Sequence, residues 1–141
     1  MSVIGIIGID LAKRSFQLHG GGTDGSVVFR KKLSRDRLLP FLAEQPPTIV
    51  AMEACASAHF WGRRIQALGH EVRLLPPIYV KPFVKRQKND AADAEAIVEA
   101  ASRPTMRFVA VKSAEQQGEA MIFRARDLWV RQRTQTGNAL R

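Results

Sequence analysis

Four acidic residues, Asp10, Glu53, Asp90 and Asp93, stand where carboxylate chemistry is to be expected. Asp90 and Asp93 are three residues apart in "KNDAADAEAIVEAA", a stretch rich in Ala, Glu and Ile that favours a helix. Residues three apart share a helix face, so the two carboxylates lie side by side. Side-by-side carboxylates repel unless a lysine, solvent or a metal ion stands between them. A plainer reading stays open beside this one. Acids are ordinary in a first helical turn because the macrodipole is positive there, and Asn89 or Asp90 can serve as the N-cap.

Asp10 closes the apolar run "SVIGIIGID" and Glu53 closes "PPTIVAME", both of which read as strands. In an open α/β sheet, ligands bind beyond the carboxyl ends of the strands. If these two strands are neighbours, Asp10 and Glu53 face each other at that edge. A helix beginning at Asp90 on the same edge then completes a group of four acids. Such a group needs cations, and Mg²⁺ or Mn²⁺ suits oxygen donors where no soft-ligand set is offered. Two such ions can activate a nucleophile and stabilise the leaving oxygen of a phosphodiester. Lys81, Lys85, Arg86 and Lys88 precede Asp90 and are candidates to hold a nucleic-acid backbone beside it.

The elements that must position these residues follow an α/β order. Residues 3 to 32 read as a three-stranded meander, with "GGGTDG" as its glycine-rich turn. "SRDRLLPFLAEQ" reads as a helix with Ser34 as N-cap and Pro40 in its first turns. The Glu53 strand follows, then a helix in "SAHFWGRRIQALG" stopped by Gly69, and a fifth strand in "HEVRLLPP" ended by the prolines. After the basic segment and the acidic helix, from about Asp90 to Ala101, "MRFVAVK" is short and extended. Ser113 and Gln116 match a capping box that opens a last helix without a C-terminal stop. Three strands, helix, strand, helix, strand, then helices predict an α/β domain with a mixed sheet.

The chain has 141 residues, a hydrophobic fraction of 45% and a charged fraction of 25%, which allow one domain with a real core. No apolar run reaches the roughly 18 residues of a membrane span, so no membrane partner is expected. Cys55 is the single cysteine, which excludes an internal disulfide framework and fits the cytoplasm. The net charge of +9 points to a polyanionic partner such as nucleic acid. Residues 1 to 78 carry ten Lys and Arg against six acids, and residues 79 to 141 twelve against seven, so the excess belongs to a domain surface and not to a basic arm.

"GIDLAK" with its glycine-rich hairpin, "MEACASAHFWGR", "YVKPFVKRQKNDAADAEAI", "RPTMRFVAVKS" and "QRTQ" together resemble one family along essentially the whole chain. It is the DEDD-type insertion-sequence transposases, RNA-guided recombinases whose N-terminal domain resembles the Holliday-junction resolvase version of the ribonuclease H fold. The resemblance implies a ribonuclease H-like catalytic domain over residues 1–112. It makes residues 113–141 the start of a long, coiled-coil-like helix leading to a serine-containing C-terminal domain that these residues do not include. It matches Asp10, Glu53, Asp90 and Asp93 to the four acids that bind divalent metal, and it includes Lys13 in the first motif without a role. For the full-length protein it implies DNA strand cleavage and transfer in transposition, a structured noncoding guide RNA and a homo-oligomer.

Other residues carry plainer expectations. His19, His59 and His70 lack mutual metal spacing and are read as structural or surface groups, with a role behind the site open for His59. Cys55 is read as a small buried hydrophobe, Phe60 and Trp61 as core, and Glu95 and Glu99 as solvated helix acids. Two other functions compete with strand transfer. One is a non-catalytic nucleic-acid-binding or dimerising remnant. The other is an actin-like ATP-binding kinase fold, whose first phosphate loop "IGIDLAK" also resembles.

Overall fold

A computed structural model describes residues 3–84 and 90–139, the side chains of residues 90 and 91 excepted. Two compact units are present, residues 1–111 and 112–141.

In the first unit, β1 (Ile4–Leu11), β2 (Ser15–Gly22) and β3 (Val27–Ser34) form the expected antiparallel meander. Then come α1 (Arg35–Ala43), β4 (Ile49–Glu53), α2 (Ala56–Ala67) and β5 (Glu71–Leu75). The strands make one mixed sheet in the order β3-β2-β1-β4-β5, with β4 parallel to both β1 and β5. The β4–α2–β5 segment is thus a parallel crossover unit with its helix laid on one face of the sheet.

Strand alternation builds two cores. Ile7 and Ile9 of β1, Phe16 and Leu18 of β2, Val50 and Met52 of β4, and Leu74 of β5 point to one face. There they meet Leu38 and Leu42 of α1 and Ala58, Trp61 and Ile65 of α2. In α2, positions 58, 61, 62 and 65 repeat at helical spacing, which is why this stripe is buried. Phe16 and Trp61 meet edge to face with centroids 5.1 Å apart. Ile6, Ala51 and Leu75 point to the other face, against Ala96, Ile97, Val98, Ala100 and Ala101 of α4 (Asp90–Ala101). Each fully buried Leu, Ile or Val in these cores contributes about 1.5–3 kcal/mol.

Several local expectations are corrected. Gly20–Gly22 belong to β2, and the turn lies beyond them, where Gly25 takes φ +85° and the Asp24 carboxylate accepts the Ser26 N–H. Glycine composition suggested a turn, but ladder pairing with β1 and β3 prevails. The basic segment holds a short helix α3 (Pro77–Val80) and a 3-10 turn over Lys81–Phe83. "MRFVAVK", in keeping with its short, extended reading, contributes one bridge, Leu74 with Val109. Ser34 is the N-cap of α1 by backbone position but makes no capping hydrogen bond through its side chain.

In the second unit, α5 (Ala114–Ala139) opens on a formed capping box. Ser113 Oγ accepts the Gln116 N–H at 3.1 Å, and Gln116 Oε1 accepts the Ser113 N–H at 3.0 Å.

Candidate active site

Asp10 and Glu53 meet because of the parallel pairing of β1 with β4. Ile9 lies opposite Met52 in that register. One step further along both strands sets Asp10 beside Glu53. Alternation puts both on the α4 face, because Gly8 and Ala51, two residues earlier, already face α4. The two carboxylates line one cleft of about 250 Å³, together with Leu11, Ala54, Cys55 and Pro77.

α4 lies directly on the backbone of β1, and only glycine at position 8 allows it: the Ala94 carbonyl and the Val98 side chain occupy the place of a Cβ. With Ala94 over Gly8, the turn of α4 before it runs toward the end of β1 that carries Asp10. Asp93 sits in that turn and Asp90 begins the helix. The effect is felt at Glu53, whose carboxyl is held above the usual glutamate range. Burial is the main cause, the Asp93 charge adds to it, and Lys81 opposes it.

The structure therefore brings together Asp10 and Glu53, with Asp93 and Lys81 within electrostatic reach of Glu53. The Asp90 side chain lies outside the described residues, as do Lys85, Arg86 and Lys88. Among the described residues, no group of three or more His, Cys, Asp and Glu side chains is gathered closely enough to hold a metal ion. The donors present are nonetheless of one chemical kind, carboxylate oxygens, which suit a hard divalent cation.

Two expectations about the surroundings change, for Cys55 and Phe60, while the histidines keep theirs. Cys55 is exposed, not buried: as N-cap of α2 it stands at the mouth of the cleft, its Sγ 3.3 Å from Ser57 Oγ. Trp61 is core as expected, whereas Phe60 is 40% exposed and carries Arg64 at 4.7 Å from its ring centre. The helix turned Phe60 outward because positions 58, 61, 62 and 65 form its buried stripe. All three histidines are buried. His70 is structural: its Nε2–H donates to the Leu42 carbonyl at 2.7 Å and its Nδ1 accepts the Thr48 N–H at 3.1 Å, tying α1 to β4. No sequence signal marks Pro77 as a residue of the cleft, since a four-residue helix is too short to show a period.

A five-stranded mixed sheet of this order, with acids at the ends of two adjacent parallel strands, defines a ribonuclease H-like domain. Among solved structures the chain is similar to the Thermus thermophilus RuvC in complex with a Holliday junction substrate, at a TM-score of 0.57 and 15% identity, over 76% of this chain and 100% of that one. A family model described as Transposase, the DEDD type of IS110, matches residues 7–141, and the chain belongs to that family. It is 54% identical to a probable family 20 transposase of Pseudomonas aeruginosa and 52% identical to a putative transposase of Sinorhizobium fredii, each over 96% of this chain. The chain spans 40% and 35% of the length of those two relatives. Membership of this family takes the place of the actin-like kinase reading.

Proposed function

We propose that this chain is the metal-binding catalytic domain of a transposase, acting on DNA by cleavage and transfer of a phosphodiester strand. The observation that carries the reading is the parallel β1–β4 register, which sets Asp10 and Glu53 side by side in one cleft, with Asp93 of α4 within electrostatic reach of Glu53. Asp10, Glu53 and Asp93, joined by Asp90, would hold Mg²⁺ or Mn²⁺. Such an ion, when bound, supplies Lewis acidity toward a phosphoryl oxygen and lowers the pKa of a bound water. The chain's own residues do the rest. Half-buried Glu53 resists carrying a charge unless a cation is near, so the site favours cation entry as it ionises. Lys81, exposed and sensed by Glu53, offers a phosphate contact at the rim of the cleft. Lys85, Arg86 and Lys88 extend that positive charge along the chain.

The solved RuvC relative in fold is described with a Holliday junction, which supports DNA as the substrate class. For the whole protein, the resemblance of its motifs implies a guide RNA and a homo-oligomer, and we propose both as further partners. The test is nicking of supercoiled DNA by the chain in Mn²⁺, with and without a chelator, beside Asp10→Asn and Glu53→Gln. Nicking lost in the chelator and in both variants is expected. DNA that is bound but never cut, equally by parent and variants, would favour the non-catalytic reading instead.

A further inference from the structure

We infer that the β3 edge of the sheet carries a phosphate track, built by Arg30 and Lys32 with Lys13 and Arg14, that holds the backbone of a DNA duplex leading into the Asp10–Glu53 cleft. The inference rests on the reading of that cleft as the place of strand cleavage, and adds to it the surface along which the substrate arrives.

The track follows from register. Asp10 pairs with Gln17, and Gln17 pairs with Lys32. Gly8 pairs with His19, and His19 with Arg30. Cross-strand partners point to the same face, so Glu53, Asp10, Gln17 and Lys32 form one row across the α4 side of the sheet. Arg30 stands in the next row. Strands are about 4.8 Å apart, which puts the Lys32 backbone about 10 Å from that of Asp10.

α4 covers β1 and β2, while Arg30 and Lys32 are exposed beyond it. The β1–β2 loop brings two more cations to the same end of the sheet. Arg35 Nη1 donates to the Lys13 carbonyl at 3.1 Å and fastens this loop to the start of α1. Lys13 and Arg14 are both exposed.

A plain alternative is that edge strands carry lysine to block pairing with another sheet. Lys31 shows how an edge cation looks when the fold itself uses it. On the opposite face, it lies 4.5 Å from the centre of the Phe41 ring. Lys13, Arg14, Arg30 and Lys32 have no such use: among the described residues none of them is in an ion pair or stacked on a ring. Four exposed cations outside any ion pair offer a surface that a polyanion would neutralise. A duplex of DNA is the occupant, because the row begins at the acids proposed to cut it.

The test is anisotropy binding of the 141-residue chain to a short DNA duplex and to an RNA duplex of the same sequence, in EDTA, across a salt series. Parent, the Arg30→Ala/Lys32→Ala double variant and Lys31→Ala are compared, with circular dichroism confirming that each is folded. The double variant is expected to lower the slope of log K against log salt on DNA by about 1.8, two phosphate contacts at about 0.9 each. Lys31→Ala should leave that slope in place. An unchanged DNA slope in the double variant, an equal loss in Lys31→Ala, or a loss as large on the RNA duplex overturns the track. The assay contains no metal, so a track that fails while the acids still bind Mn²⁺ condemns the track alone. A track that holds while the acids bind nothing condemns the cleft reading instead.

Discussion

Val98 fills the space above Gly8: a Cβ placed on Gly8 would stand 2.6 Å from Val98 Cγ2 and 2.7 Å from the Ala94 carbonyl oxygen. Backbone cannot yield as a long side chain can. Gly8→Ala is therefore expected to push α4 off β1 and to cost about 1–3 kcal/mol, the usual range for overpacking. Thermal unfolding checks the cost. The same shift moves Asp93 away from Glu53, so the variant should also bring the Glu53 pKa down. An unchanged melting temperature would mean that α4 does not ride on the strand as described.

Glu53 opposes stability at neutral pH. Its carboxyl is held above the ordinary range chiefly by burial, so the folded state holds the proton more tightly than the unfolded one. That preference is fully present below the unfolded value of about 4.3 and is lost as pH rises through the higher folded value. Glu53→Gln should then stabilise the metal-free chain at pH 7, by no more than about 1 kcal/mol given the partial exposure of the group. The gain should vanish as the pH is lowered to about 4. Melting curves at both pH values decide it, and destabilisation at pH 7 would contradict the assignment.

Asp93 and Lys81 act on Glu53 with opposite signs. Asp93→Asn should lower the Glu53 pKa and Lys81→Met should raise it further. Carboxyl-carbon NMR titration of Glu53 in the three proteins reads both shifts. Equal values in all three would show that neither charge reaches the cleft.

The capping box of α5 can be tested in its own unit. Ser113→Ala removes the oxygen that accepts the Gln116 N–H and should cost the helix about 1 kcal/mol. Hydrogen exchange is expected to quicken at Gln116 and its neighbours, with protection in β1 and β4 unchanged.

Much of the fold was legible in the sequence because apolar runs, prolines and caps mark its elements directly. The runs ending at Asp10 and Glu53 became β1 and β4, and Gly69 ends α2 at φ +95°. What the pattern could not reveal was pairing that overrides composition. Gly20–Gly22 look like a turn but sit in a ladder, because neighbouring strands supply the hydrogen bonds that glycine's freedom would forgo. The Asp10–Glu53 pair required one condition that sequence could only pose, that β1 and β4 be neighbours, and the sheet order meets it. Cys55 was misjudged because residue type favours burial, whereas its place as N-cap at the carboxyl end of β4 exposes it. The row that Lys32 shares with Asp10 follows from strand register, which composition does not carry.

The most direct test of the central claim is calorimetric titration of Mn²⁺ and Mg²⁺ into the chain at pH 7, beside Asp10→Asn, Glu53→Gln and Asp93→Asn. The account predicts saturable binding to the parent and its loss in each folded variant, with parent binding also lost as the pH falls through the raised Glu53 value. Binding that all three substitutions leave intact, or no binding to the parent with or without DNA present, would contradict it.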